Sequence, residues 1–430
     1  MAPVLFLLIG LVGLMLIGLP LGFAIFITSA GALLIFTDLP FWQIIQRFFA
    51  GIDSFVLTAI PFFLLAGNLM NSGQITDRLM NLASAMVGHI RGGLAQINVV
   101  TSLFFGGISG SAVADTCGEG TIIIPSMIKR GYSKSFTVAI TATSSVLGQI
   151  IPPSLIMIIY AATAGVSVQA LFVAGIIPGI LFAISQMVIS YIYAIKNNYP
   201  RERRKTLKEF WLCVKDSFLV LLMPLIIMGG VLSGIVTATE SAVIAVVYSL
   251  IITIFVYKTL TFKDLIPIFV NTAKSTAVTL FCIGAASAFG YLLAYFRIND
   301  MVLELITVMN FSKNTFIFFV IGLFFVLGMF MDSTPATYIF VPIVLPTAIA
   351  LGIHPVHIGM VICLALGFGL ITPPYGLCLL LGSQIAGINP KDAFKDIFVQ
   401  LIGVIIVLLA IAFWEDFILF LPRIMVPKYV

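Results

Sequence analysis

Hydrophobic positions along this chain do not alternate with polar ones; they run on without interruption. Charge-free stretches cover residues 3–37, 54–76, 92–114, 135–195, 217–239, 275–296 and 333–390. Each is at least as long as the roughly 20 apolar residues that a helix needs to span a bilayer. Backbone groups in hydrocarbon must be satisfied within their own segment, so the pattern predicts an all-α membrane protein. The first stretch has no basic leader and no clear cleavage site, and is expected to remain attached as a pair of helices.

The basic residues between these stretches set the expected topology. Lys196, Arg201, Arg203, Arg204, Lys205 and Lys208 crowd one short segment, which reads as a cytoplasmic basic linker over 197–208. Working backwards, 135–195 holds two spans turning near Ala164, returning Lys129, Arg130 and Lys134 to the cytoplasm beside His89 and Arg91. Only two half-spans between Arg91 and Lys129 keep both basic ends inside, so 92–130 is predicted to be a re-entrant hairpin, followed by a span over 133–162. Working forwards, spans near 217–234, 238–257 and 275–296 leave Lys258 and Lys263 inside and Arg297 and Asp300 outside. A second hairpin over 313–351 then enters from the periplasmic side, with spans near 357–385 and 397–421 after it. Both termini come out periplasmic on this count.

A shift of 221 positions pairs Pro125 with Pro346, Gly131 with Gly352, Gly148 with Gly369, and Pro152 and Pro153 with Pro373 and Pro374. Glycine and proline dictate backbone geometry, so these coincidences weigh more than those of isoleucines. The chain therefore divides into a first repeat over 1–196 and a second over 209–430, each of five spans plus one re-entrant hairpin. The odd span number inverts one copy relative to the other, an architecture common in secondary transporters.

Four segments cannot continue as unbroken helix. GGISGSAVADTCGEG at 106–120 and GMFMDSTPAT at 328–337 fall at the hairpin tips, and GQIIPPS at 148–154 and GLITPPYG at 369–376 fall within spans. Paired prolines remove amide donors and obstruct the preceding turn. Non-helical backbone at this depth must be buried in protein or line a wet cavity. Freed carbonyls and hydroxyls suit a sodium ion, whereas half-helix N-termini suit a carboxylate. Two related cation sites with an anionic substrate between them are the expectation. The candidate sodium ligands are Ser109, Ser111, Ser145 and Pro152 in the first half, and Asp332, Ser333, Gly369 and Thr372 in the second. The candidate substrate contacts are Ser111, Asp115, Ser154, Asp332 and Thr334. Intramembrane carboxylates are costly and usually functional, although Asp115 and Asp332 could instead bond the tip amides. Thr141, Thr143, Ser144 and Ser145 either line the site or bond back to their own helix. Glu119 is placed to cap the second half-helix of the first hairpin, and Thr237 with Glu240 forms a capping-box spacing.

Composition narrows the function further. Of 430 residues 61% are hydrophobic and 9% charged, against roughly 25% charged in an average soluble domain. The net charge of +5 resides mainly in connecting segments, which makes it a topology signal and not a nucleic-acid surface. Five scattered cysteines without CxxC spacing read as buried thiols, and His354 with His357 lacks a third ligand for a metal. No GxxxxGK[ST] loop is present to hydrolyse ATP by that route, so the driving energy must come from a gradient or a partner. None of the three histidines sits mid-span to ligate haem. A channel is a competing reading, but channels usually build a pore about a symmetry axis instead of from inverted repeats with broken helices.

AIPFFLLAGNLMNSG at 59–73, SGSAVADT at 109–116, IIPPS at 150–154, FVAGIIPG at 172–179 and GLITPPYG at 369–376 together resemble the large (M, DctM-like) membrane subunit of the TRAP, or tripartite ATP-independent periplasmic, transporters. That resemblance implies a fold similar to the divalent-anion/sodium symporters and an elevator mechanism driven by sodium, with two or more Na+ ions and no organic cofactor. It implies a small four-helix membrane subunit and a soluble periplasmic substrate-binding protein as partners, in the bacterial cytoplasmic (inner) membrane. One sodium site is implied around Ser109, Ser111 and the break at 152–154, and a second around Asp332, Ser333 and the break at 372–374. The implied cargo is an organic acid, a sugar acid such as sialic acid or a C4-dicarboxylate. The chain departs from the family pattern in TPPYGLCL, with Cys378 where relatives have asparagine, and in CGEG at 117–120, where they carry small apolar residues. A stand-alone sodium/anion symporter without a binding protein is the alternative.

Overall fold

The computed structural model describes residues 2–73, 75–298, 300–302, 304 and 311–429. Among them there is no β-strand, and seven helices are long and apolar enough to cross a bilayer. Lys134–Ile150 with Leu155–Ala164, bent by 43°, makes an eighth candidate. The remaining apolar helices, Ala2–Leu16, Leu21–Phe36 and Ala59–Ser72 among them, are shorter. Among the described residues, seven or eight spans therefore stand by length alone where ten were expected, because local breakers divide the apolar runs. Gly18 at φ +90° and Pro20 separate the first two helices, for example.

Large apolar side chains lie on the outside of the molecule as well as inside it. Ile9, Leu34, Phe255, Val278 and Ile406 are all exposed, which is the surface a lipid solvent requires. Three apolar clusters organise the interior, two of them large and the third made by Leu57, Ile60, Ile159 and Ile283. The larger runs from Ala59 to Val426. The smaller joins Ala2–Leu16 and Leu21–Phe36 to the end of the long helix Phe262–Tyr295, through Leu7, Ile25, Leu33, Phe289 and Leu292.

The first hairpin consists of Gly93–Ser109, a turn at Gly110, then Ala112–Gly118 and Gly120–Lys129. The second consists of Lys313–Phe330 and Ser333–Ala350. An arm of 18 residues is about 27 Å long at 1.5 Å per residue, so the half-spans expected from the sequence are corrected to nearly full-length arms. The first broken span comprises Lys134–Ser145, Leu147–Ile150 and Leu155–Ala164, and the second Pro355–Gly369 and Leu377–Ala386. Shifted by 221 residues, the outer ends of the first set fall within one residue of those of the second. Gly131 and Gly352, which close the two hairpins, share a left-handed backbone (φ +86° and +71°) that favours glycine. The halves differ nearer the N-terminus, where Trp42–Ile52 and Ala59–Ser72 occupy the register of the single helix Phe262–Tyr295.

The basic linker is not a loose loop, and its last residues already belong to the helix Leu207–Leu232. Thr206 and Glu209 cap that helix reciprocally, and the donors of Thr206 hold the Glu209 carboxyl below its usual range. The amide of Glu202 donates to Gly88 O at 2.9 Å, and Gly93 donates to Pro200 O at 3.2 Å. The Glu202 carboxylate pairs with Arg130 and accepts from Ser84 Oγ at 2.6 Å, tying the linker to the base of the first hairpin. Glu202→Gln is expected to loosen this strap and to speed tryptic cleavage at Arg203 and Arg204 several-fold without unfolding the helices. Limited proteolysis in detergent checks this, and an unchanged cleavage rate would contradict it.

Candidate functional site

In the first hairpin the turn is made by Gly110 at φ +66°, a conformation that strains any side chain with a Cβ. Its carbonyl accepts from the Leu155 amide at 3.1 Å, joining the hairpin tip to the first broken span directly after its two prolines. A Cβ on Gly110 would stand 2.7 Å from Pro153 O. Ser111 caps Ala112–Gly118 by accepting from Ala114 N at 3.4 Å. The Ser109 hydroxyl donates to Asp115 Oδ1 and accepts from the Ser111 amide at 3.2 Å. Ser154 begins the next half-helix, and its hydroxyl donates to Gln149 O at 2.7 Å across the break. Ser109, Ser111, Asp115, Pro152 and Ser154 are thus gathered as expected. Asp115 is wholly buried, its Oδ2 has no partner, and that oxygen faces Gly148. Ser145 is turned elsewhere, donating to Thr141 O at 2.7 Å.

The second site opens on a cavity of about 590 Å³. Asp332 caps Ser333–Ala350, accepting from the Thr334 amide at 3.4 Å. Asp332 and Thr334 line the cavity from the hairpin, Tyr375 from the second break and Leu377 from the helix after it, and Gly22, Phe23, Phe281 and Cys282 from the opposite wall. No lysine, arginine or histidine is among the lining residues. Gly369 packs directly on the backbone of Gly328, and Thr372 donates to Phe368 O at 2.7 Å. Ser111, Asp115 and Ser154 do not line this cavity, so the substrate contacts named from the sequence divide between two places.

The two places are linked by contacts between the halves. Gln149 of the first break donates through Nε2 to Ser333 Oγ of the second hairpin at 3.0 Å. Cys378, beyond the second break, lies beside Thr116 of the first hairpin. Gln149 was not singled out from the sequence, although a glutamine in so apolar a stretch was the available signal. Removing either partner of the Gln149–Ser333 bond is expected to cost about 1–2 kcal/mol, since a buried polar group loses its mate. In thermal melts the double substitution Gln149→Met with Ser333→Ala should then cost less than the sum of the single ones, and strict additivity would count against the link.

Three further expectations are corrected. Glu119 makes no side-chain cap; its Oε2 accepts from Ser102 Oγ at 2.7 Å, because the buried serine offers a donor where the chain bends into the next helix. Of the cysteines only Cys363 and Cys378 are buried, whereas Cys117 is exposed on the short helix Ala112–Gly118. The polar residues of Lys134–Ser145 split in behaviour: Thr143 donates to Ala139 O, but Thr141 and Ser144 bond Asn98 of the first hairpin. Glu240 does close the capping box with Thr237. His354 caps Pro355–Gly369, and the His357 ring pairs with Ile411 O at 2.9 Å.

The family described as the DctM component of the tripartite ATP-independent periplasmic transporters matches residues 8–417. The chain belongs to this family. It is thus a TRAP transporter large permease, a multi-pass membrane transport protein and not an enzyme. The permease is 36% identical over 414 residues to the sialic acid TRAP transporter large permease SiaM of Vibrio cholerae, covering 96% of this chain and 97% of that one. It is 33% identical over 429 residues to the C4-dicarboxylate TRAP transporter large permease DctM of Rhodobacter capsulatus, covering 96% and 98%. A third relative, the protein YgiK of Salmonella typhimurium, is 37% identical over 415 residues, covering 96% and 95%. Among solved structures the fold is similar to the YdaH transporter of Alcanivorax borkumensis, with a TM-score of 0.63, 15% identity and 88% of each chain covered.

Proposed function

We propose that this permease imports an organic acid together with sodium ions, receiving the acid from a soluble periplasmic binding protein and working with a small four-helix membrane subunit in the bacterial cytoplasmic membrane. The observation that carries the proposal is the cavity at Asp332. An acid entering a chamber whose only charged lining group is a carboxylate needs positive charge from elsewhere. The first amides of Leu377–Ala386 supply part of it, as helix N-termini do for anions. Sodium ions supply the rest. One would be held at the first tip by Ser109, Ser111 and the carbonyls near Pro152, and one at the second by Asp332, Ser333, Thr372 and the carbonyl of Gly369. Two sodium ions with a monocarboxylate move one net charge inward, which gains about 2.3 kcal/mol per 100 mV of membrane potential.

An elevator motion is supported by the cavity's position. Gly22, Phe23, Phe281 and Cys282 form one wall and Asp332, Thr334 and Tyr375 of the hairpin and break the other, and Ser333–Ala350 packs against the first wall's helices through Ile339. The hairpins and broken spans would carry the load past the other wall, with the two halves inverted about the membrane plane as the 221-residue register suggests. The cavity volume lies in the range of small-molecule sites, roughly 300–1,000 Å³. Sialic acid and C4-dicarboxylates, named for two of the relatives, are the first substrates to try.

Proteoliposomes holding the permease with its small subunit should take up labelled acid only with external sodium and the loaded binding protein. Uptake that needs sodium but no binding protein would favour a stand-alone symporter, and uptake indifferent to sodium would refute the coupling.

A further inference from the structure

Beyond the two tip sites, the first hairpin contains a buried carboxylate that the proposed transport reaction does not use. Glu119 is fully buried, as is Asp115 one helical turn before it, and the Glu119 amide donates to Asp115 O at 2.9 Å. Asn98, Thr101 and Ser102 share one face of Gly93–Ser109, by their spacing of three and four residues. Ser102 Oγ donates to Glu119 Oε2 at 2.7 Å and stands 3.0 Å from Ser144 Oγ. Ser144 in turn donates to Asn98 Oδ1 at 2.9 Å, and Asn98 Nδ2 donates to Thr141 Oγ1 at 2.7 Å. Glu119 Oε1 has no partner, nor does Asp115 Oδ2, nor the buried Thr101 hydroxyl on the face that carries Ser102.

Counter-charge is missing from the first hairpin, the first broken span and the residues around the second break, and Arg78 of Ile75–Val87, which packs against Gly93–Ser109, is paired with Asp216. Residues 93–128, 135–195 and 371–390 contain no lysine, arginine or histidine. Besides Glu119, the titratable side chains in those ranges are Asp115, Cys117, Tyr160, Tyr191, Tyr193, Tyr375 and Cys378, none of them cationic. Lys129 and Lys134 stand at the far ends of their helices, about 15 Å along the axis from Glu119 and from Ser144 respectively at 1.5 Å per residue. An ionised carboxylate here would be a buried charge with a single hydrogen bond and a second carboxylate for a neighbour, a costly arrangement.

We propose that Glu119 is a proton-binding site inside the membrane, carrying its proton on Oε1 while Oε2 accepts from Ser102. A single proton on Oε1, the carboxylate oxygen without a partner, neutralises the buried charge and leaves the bonds among Ser102, Ser144, Asn98 and Thr141 as they stand.

Infrared difference spectroscopy on the full chain tests this without reference to transport, so it stands or falls apart from the sodium coupling proposed above. Subtracting the spectrum of Glu119→Gln from that of the wild type at neutral pH should reveal one protonated-carboxyl C=O band, unmoved when potassium replaces sodium. Ser102→Ala, which leaves the acid in place, should shift that band to higher frequency because the carbonyl loses its donor. The proposal is overturned if the substitution removes the paired bands of an ionised carboxylate, and those bands responding to sodium would make the pocket a metal-ion site. Should Glu119→Gln fail to fold, Ser102→Ala decides alone, and C=O bands identical to those of the wild type would refute the assignment.

Discussion

Gly369→Ala is expected to abolish transport and to lower the melting point of the protein by several degrees. A Cβ at this position would lie 2.5 Å from both Cα and the carbonyl carbon of Gly328 and 2.6 Å from Phe325 O. All three are backbone atoms, which cannot swing aside as the end of a side chain can. The hairpin arm Lys313–Phe330 and the helix Pro355–Gly369 would have to separate, and overpacking of this kind costs about 1–3 kcal/mol or more. The site suffers as well, because Gly369 immediately precedes the break whose Tyr375 lines the cavity. Gly148, its counterpart in the first half, is confined mainly by a side chain, with a Cβ that would stand 2.4 Å from Asp115 Oδ2 and 3.1 Å from the carbonyl carbon of Ser111. Gly322→Ala is the control: nothing lies within 4 Å of its added Cβ, and it should melt and transport like the wild type. Melting curves in detergent and uptake into proteoliposomes provide both readings. A Gly369→Ala protein that melts with the wild type would show that the two helices are not in the contact described.

Asp332→Asn should keep the fold and lose the coupling. The side chain caps Ser333–Ala350 through the Thr334 amide, and asparagine preserves that bond because it is an equally good N-cap. What the substitution removes is the single negative charge lining the cavity. A cation held there loses its countercharge, so the sodium concentration for half-maximal uptake is expected to rise by about tenfold, the ratio that corresponds to 1.4 kcal/mol. Uptake at saturating sodium should suffer less. A sodium titration of uptake with wild type and variant in parallel decides it, and superimposable curves would remove Asp332 from the proposed ion site.

The fold was legible to the extent that glycine and proline wrote it. The hairpins, the breaks at 151–154 and 370–376 and the register of 221 were all readable from residues whose backbone demands do not depend on neighbours. Helix lengths were less so. Leu207–Leu232 and Phe262–Tyr295 begin well inside charged segments, since Thr206 and Thr261 with the acids three residues on can cap a helix that starts in water. At the site, Ser109, Ser111, Asp115 and Asp332 were signalled by small polar residues beside glycine. Gln149 and the Asn98–Ser102–Ser144–Glu119 chain were not, because what joins them is tertiary: residues 17 to 184 positions apart meet only after folding. No period along the sequence announces such a meeting.

The bond from Gln149 to Ser333 and the seating of Cys378 beside Thr116 have a corollary for the chain as a whole. Each half lends the other a partner it cannot provide for itself. A polypeptide severed within the linker would yield two fragments, each exposing an orphaned polar group on an apolar flank, and neither would make a working half-machine on its own. Co-expression of both pieces would be the route to recovering the protein.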